Sequence, residues 1–144
     1  MTKKFVGIFL LSLLLLVTLS GCDFFKSYYE VEEIPDKLCA ALAEEYGFHL
    51  PDTAVFVQGH MDVMFRDPRI ELIIRIPQND FAGLMDEKWV EENQSTIIEG
   101  VRSEASYRRL GDNREASLYV TAPDENGMIS LLFNGYNPST RWLK

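Results

Sequence analysis

Residues able to do chemistry are sparse in this chain. It has two histidines, His49 and His60, and two cysteines, Cys22 and Cys39. The densest grouping is Gly59-His60-Met61-Asp62. On an extended strand, residues two apart share a face, so the His60 imidazole and the Asp62 carboxylate would converge. They are the candidate metal ligands, with His49, Asp52 or Asp67 to complete the set. Zinc takes three or four ligands, so the pair alone falls short of a site. As an acid–base pair it lacks a third group to orient it. His60 and Asp62 read more simply as the polar side of an alternating strand. No P-loop, G-x-S-x-G, H-E-x-x-H or EF-hand loop is present. There is no C-x-x-C either, and no serine has an activating neighbour. The expectation is a protein without catalytic residues, and a metal-dependent or hydrolytic enzyme using His60 and Asp62 is the alternative.

The N-terminus carries a stronger signal. Lys3 and Lys4 precede Phe5 to Leu19, a run that is apolar but for Gly7, Ser12 and Thr18. This is the layout of a secretory signal peptide, and the run is shorter than the ~20 residues that span a bilayer. It ends in Leu19-Ser20-Gly21-Cys22, which resembles the lipobox of bacterial lipoproteins. The resemblance covers residues 1–22 only. It implies that residues 1–21 are removed and that the Cys22 thiol takes a diacylglycerol group, with or without a further N-acyl chain. No other cofactor is implied. The chain would then sit on the extracytoplasmic side of the cell membrane, anchored by lipid. Each buried methylene contributes about 0.8 kcal/mol, so two or more chains hold stably where one is marginal. In enteric bacteria an Asp after the modified Cys, as Asp23 is here, goes with retention in the inner membrane; in a single-membrane cell it carries no such meaning.

The remainder suits one domain in length. Hydrophobic residues make up 47% of the chain, too many for a disordered one. Losing Lys3 and Lys4 with the leader takes the net charge from −8 to −10. That acidity excludes nucleic acid as a partner, because phosphate contacts need Lys and Arg, and without a polybasic patch it turns the body away from anionic lipid. The segment after Cys22, Asp23 to Ile34, reads DFFKSYYEVEEI, without the Gly and Ser of a typical lipoprotein linker. Residues 22–34 are therefore read as a lipidated Cys and a short aromatic tether. Phe24, Phe25, Tyr28 and Tyr29 fit either the membrane interface or an added strand on the domain.

Residues 35–144 are expected to form a single α+β domain. Pro35 and Asp36 open a helix over 35–46, with Leu38, Leu42 and Tyr46 at helical spacing and Gly47 as its stop. Cys39 sits among them and reads as a small buried hydrophobe rather than a nucleophile. Residues 54–58 alternate as a strand, Gly59 suggests a bulge, and Met61, Val63 and Phe65 resume the alternation. Arg66 to Arg69 has turn chemistry. Ile70, Leu72, Ile74 and Ile76 mark the clearest strand. Asn79 or Asp80 would cap a second helix, carrying Phe81, Leu84, Met85 and Trp89 on one stripe to Glu92. Residues 93–115 show no clear period, and Tyr107 to Arg114, with the only basic cluster, reads as a polar loop. Strands at 116–122 and 128–134 flank Asn126-Gly127, a hairpin signal. Arg141-Trp142-Leu143 is expected to dock on the sheet. The predicted fold is α+β: a small antiparallel sheet of about four strands, in the order helix-β-β-helix-β-β, with helices packed on one face. The predicted role is a non-catalytic binding or adaptor domain for an envelope protein or component. An immunity-type or structural lipoprotein acting at the membrane surface is a third possibility.

Overall fold

Strict alternation along the chain sets its two longest central strands. Ile70, Leu72, Ile74 and Ile76 are buried while Glu71, Ile73 and Arg75 between them are half-buried. Ile129, Leu131 and Phe133 repeat the pattern on the partner strand. These are β3 (Arg69–Pro77) and β8 (Met128–Tyr136), paired antiparallel along their whole length. The structure, a computed structural model, describes residues 28–31, 34, 36–63, 68–111 and 114–138.

Around that pair the sheet grows on both sides. The other elements are β1 (Tyr28–Val31), α1 (Asp36–Tyr46), β2 (Val55–Asp62), a 3₁₀-helix (Gln78–Gly83), β4 (Trp89–Glu92), β5 (Ile97–Ile98), β6 (Val101–Arg109) and β7 (Ala116–Thr121). Seven strands run in the spatial order β1-β2-β3-β8-β7-β6-β4, every neighbour antiparallel, and β5 pairs with β6 off that path. The expected four-stranded sheet with helices packed on one face is therefore corrected: the described residues form a seven-strand antiparallel sheet with one α-helix and one 3₁₀-helix.

Two local misreadings account for the difference. Phe81, Leu84, Met85 and Trp89 do turn toward the core, Leu84 and Trp89 fully and the other two in part. They do so from a 3₁₀ turn, a short connection and β4, because three unrelated segments skirting one core can imitate a helical stripe. The polar loop expected from Tyr107 is the end of β6, whose inward positions Ala105, Tyr107 and Arg109 are too mixed in polarity to show a period of two. A smaller correction concerns Gly59. It pairs regularly with Leu72, and the register shift lies between Phe56 and Gln58. Glycine is needed at 59 because a Cβ there would stand 2.6 Å from the Leu72 side chain. Tyr28–Val31 form the added strand, with Tyr28 opposite Asp62 and Val31 opposite Gly59. Phe24, Phe25, Phe65 and Arg141-Trp142-Leu143 lie outside the described residues.

One face of the sheet carries the core. Helix α1 lays Leu38, Leu42 and Tyr46 on it, and Gly47, at φ +57°, ends the helix in the left-handed region. The chain then drops Phe48 between Phe133, stacked at 4.7 Å between centroids, and Trp89 at 6.1 Å. The buried polar tips are satisfied: Tyr46 Oη donates to the Tyr136 carbonyl at 2.8 Å, and Trp89 Nε1 to the Tyr46 carbonyl at 2.9 Å. On the opposite face, among the described residues, only β5 gives cover. Ile98 is buried there apart from the main core, with β5 folded in against β8. The break between β4 and β5 is bridged by hydroxyls of β6. Ser106 Oγ accepts from the Gln94 amide and donates to the Glu92 carbonyl, and Ser103 Oγ accepts from the Thr96 amide, each at 3.0 Å.

Two expectations follow. Gly135 lies under the Tyr46 ring, and a Cβ there would meet Tyr46 Cζ at 2.8 Å. Gly135→Ala should therefore lower unfolding free energy by about 1–3 kcal/mol, the usual cost of overpacking, as read by chemical denaturation. In the β7–β8 turn, Asp124 accepts from the Met128 and Asn126 amides and pairs with Arg75, and these contacts, the Met128 amide first, hold its carboxyl below the usual carboxylate range. A carboxylate whose pKa is lowered by folding stabilises the fold above its unfolded value of about 4, and the contribution fades as pH falls through the lower, folded value. The stability gap between the wild type and Asp124→Ala should hold from neutral pH down to about pH 5 and close below about pH 4.

Candidate functional site

The sheet separates the residues proposed as metal ligands. His60 and Asp62 lie in β2 and alternate with the core-facing Gly59 and Met61, so both project from the face opposite α1. His60 Nδ1 is 3.9 Å from Glu71 Oε1, its cross-strand neighbour on β3. Asp62 is in register with Arg69. His49 follows α1, bonds through its amide to the Leu84 carbonyl, and belongs to the layer on the other face. Asp52 is exposed ahead of β2. Asp67, and the expected lipidation segment Leu19, Ser20, Gly21 and Cys22, lie outside the described residues. Among the described residues, no group of three or more His, Cys, Asp or Glu side chains converges as a metal site.

What the fold does assemble is a broad, polar, open face. His60, Glu71, Asn134, Ser117 and Arg108 form one row across five neighbouring strands, set by the register. The adjacent row is Gln58, Ile73, Leu132, Tyr119 and Ser106, with Ile73, Leu132 and Tyr119 half-buried. Where the first row meets β6 the face dips into a cleft of about 160 Å³, lined among others by Glu92, Gln94, Arg108, Glu115, Tyr119 and Tyr136. Arg108 lies 3.6 Å from Glu92 Oε1 and 3.2 Å from Glu115 Oε2. The hydrogen bond and charge of Glu115, then those of Glu92, hold its guanidinium still more firmly protonated. Tyr119 Oη donates to Gln94 Oε1 at 3.1 Å.

This arrangement offers donors and acceptors on a shallow surface. Its volume is below the roughly 300–1,000 Å³ of a small-molecule pocket, and Arg108 has both charges of its partners to satisfy. Chemically it can donate and accept hydrogen bonds across a surface, beside the half-buried Ile73, Leu132 and Tyr119.

Sequence reading missed the role of Tyr107-Arg108-Arg109. In a strand the three alternate. Arg108 points to the open face. Tyr107 and Arg109 point to the core side, where Tyr107 meets Phe81 at 5.6 Å between centroids and Arg109 is 8% exposed. Arg109 Nη2 stands 3.8 Å from Asp86, and Nη1 donates to the Arg114 carbonyl at 3.4 Å. A basic cluster thus divides into a surface contact and a buried clamp. Cross-strand pairing of Arg108 with Ser117 and of Arg109 with Ala116 would have shown it, but that pairing is invisible without the fold.

No family model, no curated protein and no solved structure matches this chain.

Cys39 is half-buried on α1 rather than fully buried. Burial first, and the Asp36 carboxylate second, raise its thiol pKa. Since the thiolate is the reactive form, iodoacetamide at neutral pH should modify Cys39 of the folded protein several-fold more slowly than that of the denatured protein; equal rates would contradict this environment.

Proposed function

We propose that the protein is a lipid-anchored extracytoplasmic lipoprotein whose domain binds an envelope protein through the open face of its sheet, without catalysis. The anchor rests on the likeness of Leu19-Ser20-Gly21-Cys22 to a lipobox. The binding role is carried by one observation: α1 and its flanking loops cover one face of a seven-strand sheet, and the other keeps a continuous row from His60 to Arg108 beside the half-buried Ile73, Leu132 and Tyr119. An antiparallel sheet can leave one face to water, and what supports a binding use here is the apolar group of Ile73, Leu132 and Tyr119 set beside the polar row. A partner that pairs hydrogen bonds with this row and covers the apolar three has the composition of an ordinary transient interface.

The test is site-specific photocrosslinking of the full-length protein in its native membrane. A photoreactive residue at Asn134 or Ser117 should give one dominant adduct, and the same probe at Glu44 on α1 should give none. Adducts from Glu44 alone, or from no position, would overturn the binding face. Cys22→Ala, in the same cells, should abolish lipid labelling and weaken the adduct by displacing the domain from the membrane.

A further inference from the structure

The antiparallel order fixes which end of the sheet the anchor approaches. β1 enters at Tyr28, opposite Asp62, and Asp62 in turn lies opposite Arg69 and Arg69 opposite Tyr136. The same end holds the close of β6 at Arg109, Leu110, and the start of β4 at Trp89. Tyr28 follows Cys22 by six positions, so even a fully extended chain places the two within about 20 Å. A strand such as β8, with nine residues, is about 26 Å long. The reach is shorter than the sheet, and the end bearing Tyr28 is therefore the one the anchor can bring to a bilayer.

The charge pattern agrees with that geometry. The described acids Asp36, Asp52, Asp80, Glu99, Asp124 and Glu125 sit at the opposite end, in the start of α1, the approach to β2, the 3₁₀ turn and the β5–β6 and β7–β8 turns. The bases there are fewer, and Arg75 is already taken by Asp124. At the anchored end the described bases Arg69, Lys88, Arg108, Arg109 and Arg114 nearly balance Glu44, Glu45, Asp62, Asp86, Glu87 and Glu115, with Arg109 on Asp86, Arg114 on Glu45 and Arg108 on Glu115. Leu110 stands 55% exposed there. An anionic surface repels the far end and tolerates the near one. The net charge of the chain, read without the fold, points to simple repulsion; its distribution along the strands makes that repulsion an orienting force.

We propose that the domain stands on a phospholipid surface with the Tyr28–Arg69–Leu110 end of the sheet against the headgroups, its strands upright and its open face directed sideways along the membrane. This rests on the acyl anchor at Cys22 proposed above. A sideways face suits a partner that is itself embedded in or bound to the same bilayer.

The full-length lipidated protein, purified from membranes in a Cys39→Ala background with native circular dichroism, tests this. One form carries bimane at Leu110→Cys and another at Glu125→Cys, each reconstituted in vesicles of phosphatidylcholine and phosphatidylglycerol with a nitroxide headgroup lipid as quencher. Acylated Cys22 offers no thiol to the label, and the intact mass of the N-terminal peptide reports the anchor separately. The expected result is quenching several-fold stronger at 110 than at 125, with a contrast that widens as phosphatidylglycerol is increased and narrows in high salt. Equal quenching at the two positions, or stronger quenching at 125, would overturn the upright orientation while an acylated mass leaves the anchor standing. A contrast indifferent to phosphatidylglycerol would overturn the electrostatic part. An unacylated N-terminal peptide would overturn the anchor and the orientation with it.

Discussion

Burial of Phe133 is the constraint on which the rest of the molecule depends. Its ring is stacked on Phe48, meets Tyr46 edge-on at 5.4 Å, and has Trp89 at 6.3 Å. Four aromatic side chains from α1, the loop after it, β4 and β8 thereby occupy one volume. Aromatic groups of this size dominate core energetics, but Tyr and Trp also bring polar tips that must be satisfied when buried. Both tips are satisfied by backbone carbonyls, Tyr136 for Tyr46 and Tyr46 for Trp89. The end of α1 is thus tied to the end of β8 and to the start of β4. Gly135 belongs to the same arrangement, since only a residue without a Cβ lets Tyr46 lie so close over β8.

This one-sided core explains the two faces. A single eleven-residue helix with its flanking loops can cover one side of the sheet. On the other side the cover among the described residues is limited to β5, held by Ser103 and Ser106 rather than by continuous strand pairing. What remains is a surface of charges and hydrogen-bonding groups set in rows by the register. Its ion pairs are exposed and contribute little to stability. Glu92, Arg108 and Glu115 alternate in sign across the cleft. Among the described residues, the same register places the turns that carry Glu99, Asp124 and Glu125 at one end and the start of β1 at the other, so the open face and the long axis are fixed together.

Parts of this were legible in the sequence. The strand at Ile70–Ile76, the helix expected over 35–46 with its glycine stop, and the hairpin around Asn126-Gly127 each follow from local periodicity or turn chemistry, and they correspond to β3, to α1 over Asp36–Tyr46 and to the β7–β8 turn, where Gly127 takes φ +74°. Leu118, Val120, Ile129, Leu131 and Phe133, read as core from alternation, are core. The helix expected to reach Glu92 and the loop expected from Tyr107 were misread for one reason. Local pattern reports that a residue is buried, and it cannot report which distant segment buries it. Phe81, Leu84 and Trp89 share a core without sharing a helix. β6 hides its period because Arg109 is an inward residue neutralised by Asp86, a partner distant in sequence.

The candidate site divides in the same way. His60 and Asp62 were correctly placed on one strand face by their spacing, and their neighbours Glu71 and Arg69 come from β3 by pairing alone. By itself the sequence determined the short-range features: the turn glycines, the alternating strands and the acidic balance. The tertiary structure decided the strand order, the sidedness of the core, the division of Arg108 from Arg109 and the direction of the charge gradient. Each of those depends on hydrogen bonds and contacts between residues far apart in the chain, whose energies no local window of sequence contains.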